Sequence, residues 1–225
     1  MTYPAYFDDV PTLRVKDALA ELLGSAKDGI LEYGYGDAVR LTGHSCPTVA
    51  AAYWLTCLAM HELFPDELPR RGGVKVEFRE DARVGSTGVV ATVVQMLTGA
   101  AGSSGFKGIG GRFGRAGLLR FKPDLPLFMR FTRLDNGACV DAEADLSFPP
   151  PDPAIEDLIK RCTKGKPQAQ DIARLGELWQ ERVRCLLIDM ARDPGVFTVR
   201  RVERRRVGPS STFAPLPSTG PCRVG

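Results

Sequence analysis

The sequence predicts an α+β fold: a mixed sheet packed with helices on one side, followed by a C-terminal helical extension. Three observations lead there. Gly73 to Glu80 alternates Val74, Val76 and Phe78 with Lys75, Glu77 and Arg79, the period of a strand with one face in a core. Asp135-Asn136-Gly137 separates two strand-like stretches as a hairpin turn does. Long apolar segments with helical punctuation stand before and after these strands.

Taken in order, Leu13, Val15, Ala18, Leu19, Leu22 and Leu23 recur at roughly helical spacing until Gly24, which predicts an amphipathic helix over 13–23. Gly29 to Tyr33 reads as a short strand, and a Gly34-Tyr35-Gly36-Asp37 turn then leads into Gly43-His44-Ser45-Cys46-Pro47. From Val49 the run VAAAYWLTCLAMHELF is apolar on nearly every face. Pro47 suits the first turn of a helix there, and Pro65 suits its stop. Such a helix must be buried, in the centre of the domain or against a second copy of the chain. Val89 to Leu97 is β-branched but reads as a helix, because Gly88 precedes it and Thr98-Gly99 stops it.

Eight glycines between Thr98 and Gly117 predict irregular structure, and strands follow at 118–121, 127–134 and 138–144. SFPPPDP, Ser147 to Pro153, cannot continue a strand and closes a core domain spanning 1–147. Helices over 154–162 and 168–191, the second with an Ile172, Leu175, Trp179, Val183, Leu186 and Met190 stripe, make an extension over 148–195. A basic tail rich in Pro and Gly, 196–225, completes the chain and reads as partly disordered.

The 225 residues are 44% hydrophobic and 25% charged, the balance of a soluble globular protein and not of a disordered or fibrous one. The longest apolar run, 48–60, falls short of the roughly 20 residues a membrane span needs, and MTYPAYFDDV lacks the pattern of a signal peptide. Six scattered cysteines without a CxxC pair argue against a zinc ribbon or disulfide scaffold, and the expected location is the cytoplasm. The tail holds six arginines against Glu203, a net of +5, while the rest of the chain sums to −2. With one short basic run and no aromatic interleaving, a nucleic-acid partner is disfavoured.

Chemistry concentrates at His44 and Cys46. A cysteine at a helix start meets unpaired backbone N–H groups that favour thiolate. A thiolate and a neutral imidazole can ligate a soft or borderline divalent metal, or His44 can assist Cys46 as a catalytic nucleophile. A small buried cysteine beside a structural histidine accounts equally well for the spacing.

These residues carry a resemblance. Gly43, His44, Cys46 and Pro47, then Ala51, Ala52 and Tyr53, resemble the GHxCPG-like turn and helix of the FmdE family, which takes its name from molybdenum formylmethanofuran dehydrogenase. Gln95-Met96-Leu97-Thr98-Gly99 resembles that family's QxLTG step, and Gly114 to Phe121 its segment ending in Phe. The resemblance covers about 41–145. It implies an α+β homodimer whose cavity holds His44 and Cys46 with a divalent transition metal, zinc first, with nickel or iron as alternatives. It also implies a possible place beside a larger molybdenum or tungsten enzyme of C1 metabolism; a separate alternative is a non-catalytic accessory subunit of a larger oxidoreductase, with the Arg-rich tail and the two added helices as its contact surface. Thr42 stands where many members have another histidine and Thr48 where they have glycine, so only His44 and Cys46 carry over as ligands.

SSGFKGIGGRFGR interleaves Lys107, Arg112 and Arg115 with small residues, a composition that lets cations and backbone N–H groups meet an anion. It matches neither the dinucleotide fingerprint nor the P-loop. The expectation is a loop edging the His44/Cys46 cavity, where Lys107 and Arg112, with Gln95 and Thr98 nearby, bind a small carboxylate- or phosphate-bearing ligand; a mobile, merely solvated loop is the competing reading. His61 reads as a helix-end histidine, Trp54 and Trp179 as core or dimer contacts, and Asp135, Asp141, Glu143 and Asp145 as a solvated face.

Overall fold

The computed structural model describes residues 3–122 and 124–203. Expectations about the tail from Arg204 onward, its disorder and its arginines 204–206 and 223, lie outside the described residues.

The α+β architecture is as predicted. Five strands, β3 (Val74–Phe78), β4 (Leu119–Phe121), β5 (Met129–Arg133), β6 (Cys139–Ala144) and β7 (Phe197–Val202), form one sheet in the order β4-β3-β5-β6-β7. β3 and β4 run parallel and the other pairs antiparallel. One face presents Val76, Phe78, Met129, Phe131, Val140 and Ala142, all fully buried. The opposite face is charged. The register sets Arg120 beside Glu77, Glu77 beside Arg130, Arg130 beside Asp141 and Asp141 beside Arg200, so charge alternates in sign across all five strands. Asp141, expected on a solvated face, is therefore buried and held by a bidentate Arg130 at 2.6 and 2.7 Å. Asp135 and Glu143 are likewise tied, to Arg133 and Arg79.

The apolar face is covered by α3 (Pro47–Leu63), which lies against β6 and β7, and by α4 (Thr87–Thr98), which packs on α3 and β3. All but four of the seventeen α3 residues are buried, as a helix apolar all round requires. Trp54 is core, and its Nε1–H donates to Ala191 O at 2.7 Å. α4 ends on Gly99, left-handed at φ 73°, the stop that the Thr98-Gly99 step predicted. The hairpin between β5 and β6 turns at Gly137, φ 67°.

Four local expectations need correction. The helix expected over 13–23 is a strand, β1 (Leu13–Lys16), followed by a short helix, α1 (Ala18–Leu22). Leu13 and Val15 alternate with exposed Arg14 and Lys16, and β1 pairs antiparallel with β2 (Ile30–Tyr33). Asp17 ends the strand and caps the helix, accepting from Leu19 N and Ala20 N. The turn expected at 34–37 begins a helix, α2 (Tyr35–Thr42), whose start is fixed by Asp37 Oδ2 accepting from Gly34 N at 2.8 Å.

The third concerns the C-terminal extension. α5 (Ala154–Thr163) matches, but the helix expected to reach residue 191 is α6 (Ala169–Arg184), followed by a π-helical turn, Cys185–Asp189. The fourth concerns Phe197–Val202, expected to start a tail. Its Phe197 is buried, and it forms the edge strand β7, in register with all six residues of β6. No helix among the described residues is long and apolar enough to cross a membrane.

Candidate functional site

The GHSCP turn joins α2 to α3. Gly43 adopts φ 80° and ends α2, so the chain reverses before His44. Thr42 stitches the turn, its hydroxyl donating to Ala38 O at 2.8 Å and reaching His44 O at 3.1 Å. Cys46 is the N-cap of α3: it is 9% exposed, and its Sγ accepts the Val49 N–H at 3.5 Å. Pro47 follows in the first turn.

Helix α6 fastens this turn from outside, a role that sequence periodicity did not reveal for Trp179. The Trp179 indole N–H donates to Ser45 O at 3.0 Å and the Gln180 amide reaches the same oxygen at 3.4 Å. Gln180 in turn accepts from the Tyr6 hydroxyl at 2.8 Å, and the Ser45 and Tyr35 hydroxyls pair at 2.9 Å. Burial pushes the Tyr6 phenol up to about 12, so it stays a neutral donor at physiological pH.

His44 is exposed, and its Nδ1 lies 3.1 Å from Thr42 O. A carbonyl partner fixes Nδ1 as the protonated nitrogen and leaves the Nε2 lone pair free, the arrangement common in metal-ligating histidines. No hydrogen bond joins His44 to Cys46. The two donors suit a borderline divalent metal in kind but not in number: among the described residues no group of three or more His, Cys, Asp or Glu side chains could hold an ion. His61 sits exposed near the other end of α3 and Cys57 is buried, its thiol pushed up to about 12 by burial, so neither adds a ligand. All five described cysteines are free thiols.

The glycine-rich loop lines a cleft to which neither His44 nor Cys46 contributes. Lys107 is exposed and folds back onto Ser103 O at 2.6 Å. Thr98 is fully buried, its hydroxyl donating to Val94 O at 2.7 Å and accepting from Ala100 N at 3.1 Å, while Gln95 is exposed on α4. Thr98 thus serves the helix end and is closed off by burial. Of the four expected anion-binding residues, Arg112 lines that cleft, which measures about 660 Å³ and is shared with Lys16, Arg70, Arg71, Phe113 and Arg115.

The inner wall of that cleft is an ion network that sequence reading missed. Asp17, 3% exposed, accepts from Arg71 Nη1 at 2.9 Å and Arg115 Nη2 at 2.8 Å as well as from the start of α1. Burial alone would raise its carboxyl, but the Arg71 hydrogen bond, the Arg115 charge and the two backbone N–H groups outweigh it and hold it below the usual carboxylate value. A capping-type aspartate inside the helix expected over 13–23 was the available signal; its partners, 54 and 98 residues away, have none in local pattern.

Neither a family model nor a curated protein matches this chain.

Proposed function

We propose that the protein is a transition-metal-binding protein of the FmdE type, with Cys46 and His44 supplying two ligands and zinc the first candidate ion. The observation that carries the reading is the pair of candidate ligand atoms on a pinned turn. Cys46 Sγ is held at the head of α3, and His44 offers Nε2 because Nδ1 is engaged by Thr42 O. Solvent, a small anion or a second copy of the chain supplies the remaining positions. When bound, the metal contributes Lewis acidity at an open coordination position.

This chain's part is to orient the donors. Trp179 and Gln180 clamp Ser45 O, between the two ligands, so α6 sets the direction in which the turn faces. A metal-free reading, with His44 as base to a Cys46 nucleophile, lacks its defining hydrogen bond and is the weaker one. A homodimer, and association with a larger molybdenum or tungsten enzyme, follow from the same resemblance.

Elemental analysis of untagged protein tests the proposal. Wild type should retain zinc, nickel or iron in near-integral ratio to chain or dimer, and His44→Ala and Cys46→Ala should each lose it. Wild type that stays metal-free after incubation with all three ions would sink the metal reading. Rapid alkylation of Cys46 at neutral pH would then favour the thiol chemistry instead.

A further inference from the structure

Five cations line the cleft beside the glycine-rich loop, and the partners of each decide what they can do. Lys16 pairs with Glu21 at 3.2 Å, and Arg70 shares Glu67 and Asp135 with Arg133. Those charges are matched. Arg71 donates from Nη1 to Asp17 and from Nε and Nη2 to Met96 O, so three of its five N–H groups are engaged within the protein.

Arg115 differs. Its side chain is 10% exposed, yet its guanidinium makes one hydrogen bond, Nη2 to Asp17, among the described residues. A guanidinium has five N–H donors, and Arg115, which lines the cleft, packs its Nη1 closely against Gly72, another residue of the lining. Two guanidiniums share a single carboxylate at this inner wall, leaving one positive charge uncompensated in a largely dehydrated setting. Burial is the leading influence on Arg115 and opposes its charge.

At the mouth stands a second unmatched cation. Arg112 has no acidic partner among the described residues, and its guanidinium rests 4.8 Å over the Phe113 ring. Phe113 holds φ 62°, a left-handed conformation rare for an aromatic residue. Gly110 and Gly111, at φ 56° and 75°, form the tight turn that brings Ile109 and Arg112 into mutual backbone hydrogen bonds. The loop's glycines therefore place Arg112 and Phe113 on the cleft.

We propose that this cleft binds the dianionic head of a phosphate monoester between Arg115 within and Arg112 at the mouth, with Phe113, Leu68 and Ala18 facing the ligand's organic part. Two unmatched positive charges suit a group carrying about −1.5 to −2 near neutral pH, and two guanidinium forks suit its three terminal oxygens. A volume of about 660 Å³ accommodates a small organic phosphate. The site is separate from the metal reading, since neither His44 nor Cys46 lines it.

Isothermal titration of the full chain with phenyl phosphate and inorganic phosphate, against benzoate and succinate, tests this. The phosphates should bind one per chain and outcompete both carboxylates. Arg112→Ala breaks no ion pair among the described residues, so the variant stays folded, and it should weaken phenyl phosphate binding about tenfold or more. His44→Ala should bind like wild type. Binding should also fall as the pH drops from about 7.5 to 5.5, through the monoester's second pKa near 6. Arginine stays charged over that range, and Asp17 and Glu67, both held below their ordinary values, stay ionised. No heat with millimolar phenyl phosphate, unchanged affinity in Arg112→Ala, carboxylates binding as tightly, or pH-independent binding would each overturn the proposal.

Discussion

Replacing Asp17 should cost more stability than any other single polar substitution at the cleft. Its carboxylate compensates two arginines whose side chains are 10% and 23% exposed, and it caps α1. Removing one partner of a buried ion cluster costs about 3–5 kcal/mol, because the charges left behind stay dehydrated. Arg71 regains some solvent, so Asp17→Asn should fall near the lower end, about 3 kcal/mol, with asparagine retaining the cap. Asp17→Ala should lose about 1 kcal/mol more, the worth of the cap. Urea unfolding followed by tryptophan fluorescence reads both. The sign of the pH effect is fixed as well. The folded carboxyl lies below its unfolded value near 3.9, so its stabilisation is full above that value and drains away as the pH falls through the folded one. Wild type should lose that increment in acid, and Asp17→Asn should not. An Asp17→Asn variant within about 1 kcal/mol of wild type at pH 7 would refute the argument that the two arginines depend on this carboxylate.

Two further substitutions test neighbouring claims. Gly72 has φ 78°, and a Cβ built there would fall 1.0 Å from Arg115 Nη1, so Gly72→Ala must displace that guanidinium besides paying about 1–2 kcal/mol for the left-handed backbone. It should lower the urea midpoint and weaken phenyl phosphate binding together; loss of neither would contradict the close approach. Trp54→Phe removes the buried hydrogen bond to Ala191 O and should destabilise by about 1–3 kcal/mol in the same assay, whereas a change within about 0.5 would mean that the bond holds little between α3 and the extension.

Local pattern is legible where one signal acts alone. Pro47 and Gly99 mark helix ends, Val74 to Phe78 alternates because one face is buried, and Asn136-Gly137 turns a hairpin. The misread elements share a cause, since each lies where two patterns overlap. Leu13 and Val15 fit a helix with Leu19 and Leu22 only if Asp17 is ignored, although it is a capping residue at the junction. β7 is hidden because the Arg200 and Arg201 beside Val199 and Val202 read as tail composition, while Arg200 completes an alternation of charge that exists only across strands. Site geometry is less legible still. His44 and Cys46 stand two apart in sequence and are visible as a pair, whereas Asp17, Arg71 and Arg115 come from three separated segments and meet only after folding. Lys107 shows the converse. Composition puts it beside Arg112, but the nearby backbone carbonyl of Ser103 claims it.

The number of donors at the GHSCP turn makes a demand on stoichiometry. Zinc in a closed structural site takes four protein ligands, and in an open site three plus solvent; this turn offers two. His44 is exposed, so its imidazole is accessible to a second molecule without local unfolding. Two copies related by a twofold axis would bring two such turns together and supply two thiolates and two imidazoles, a full set for one ion. The metal content and the oligomeric state are then a single quantity: one ion per two chains, with the chelated protein running as a monomer on size exclusion and returning to a dimer when zinc is restored. One ion per chain in a protein whose size ignores chelation would mean instead that water and a small ligand fill the other positions, and the site would be open to chemistry. An intermediate outcome, a dimer that survives chelation, would move the interface away from the turn and leave the metal with no part in holding it.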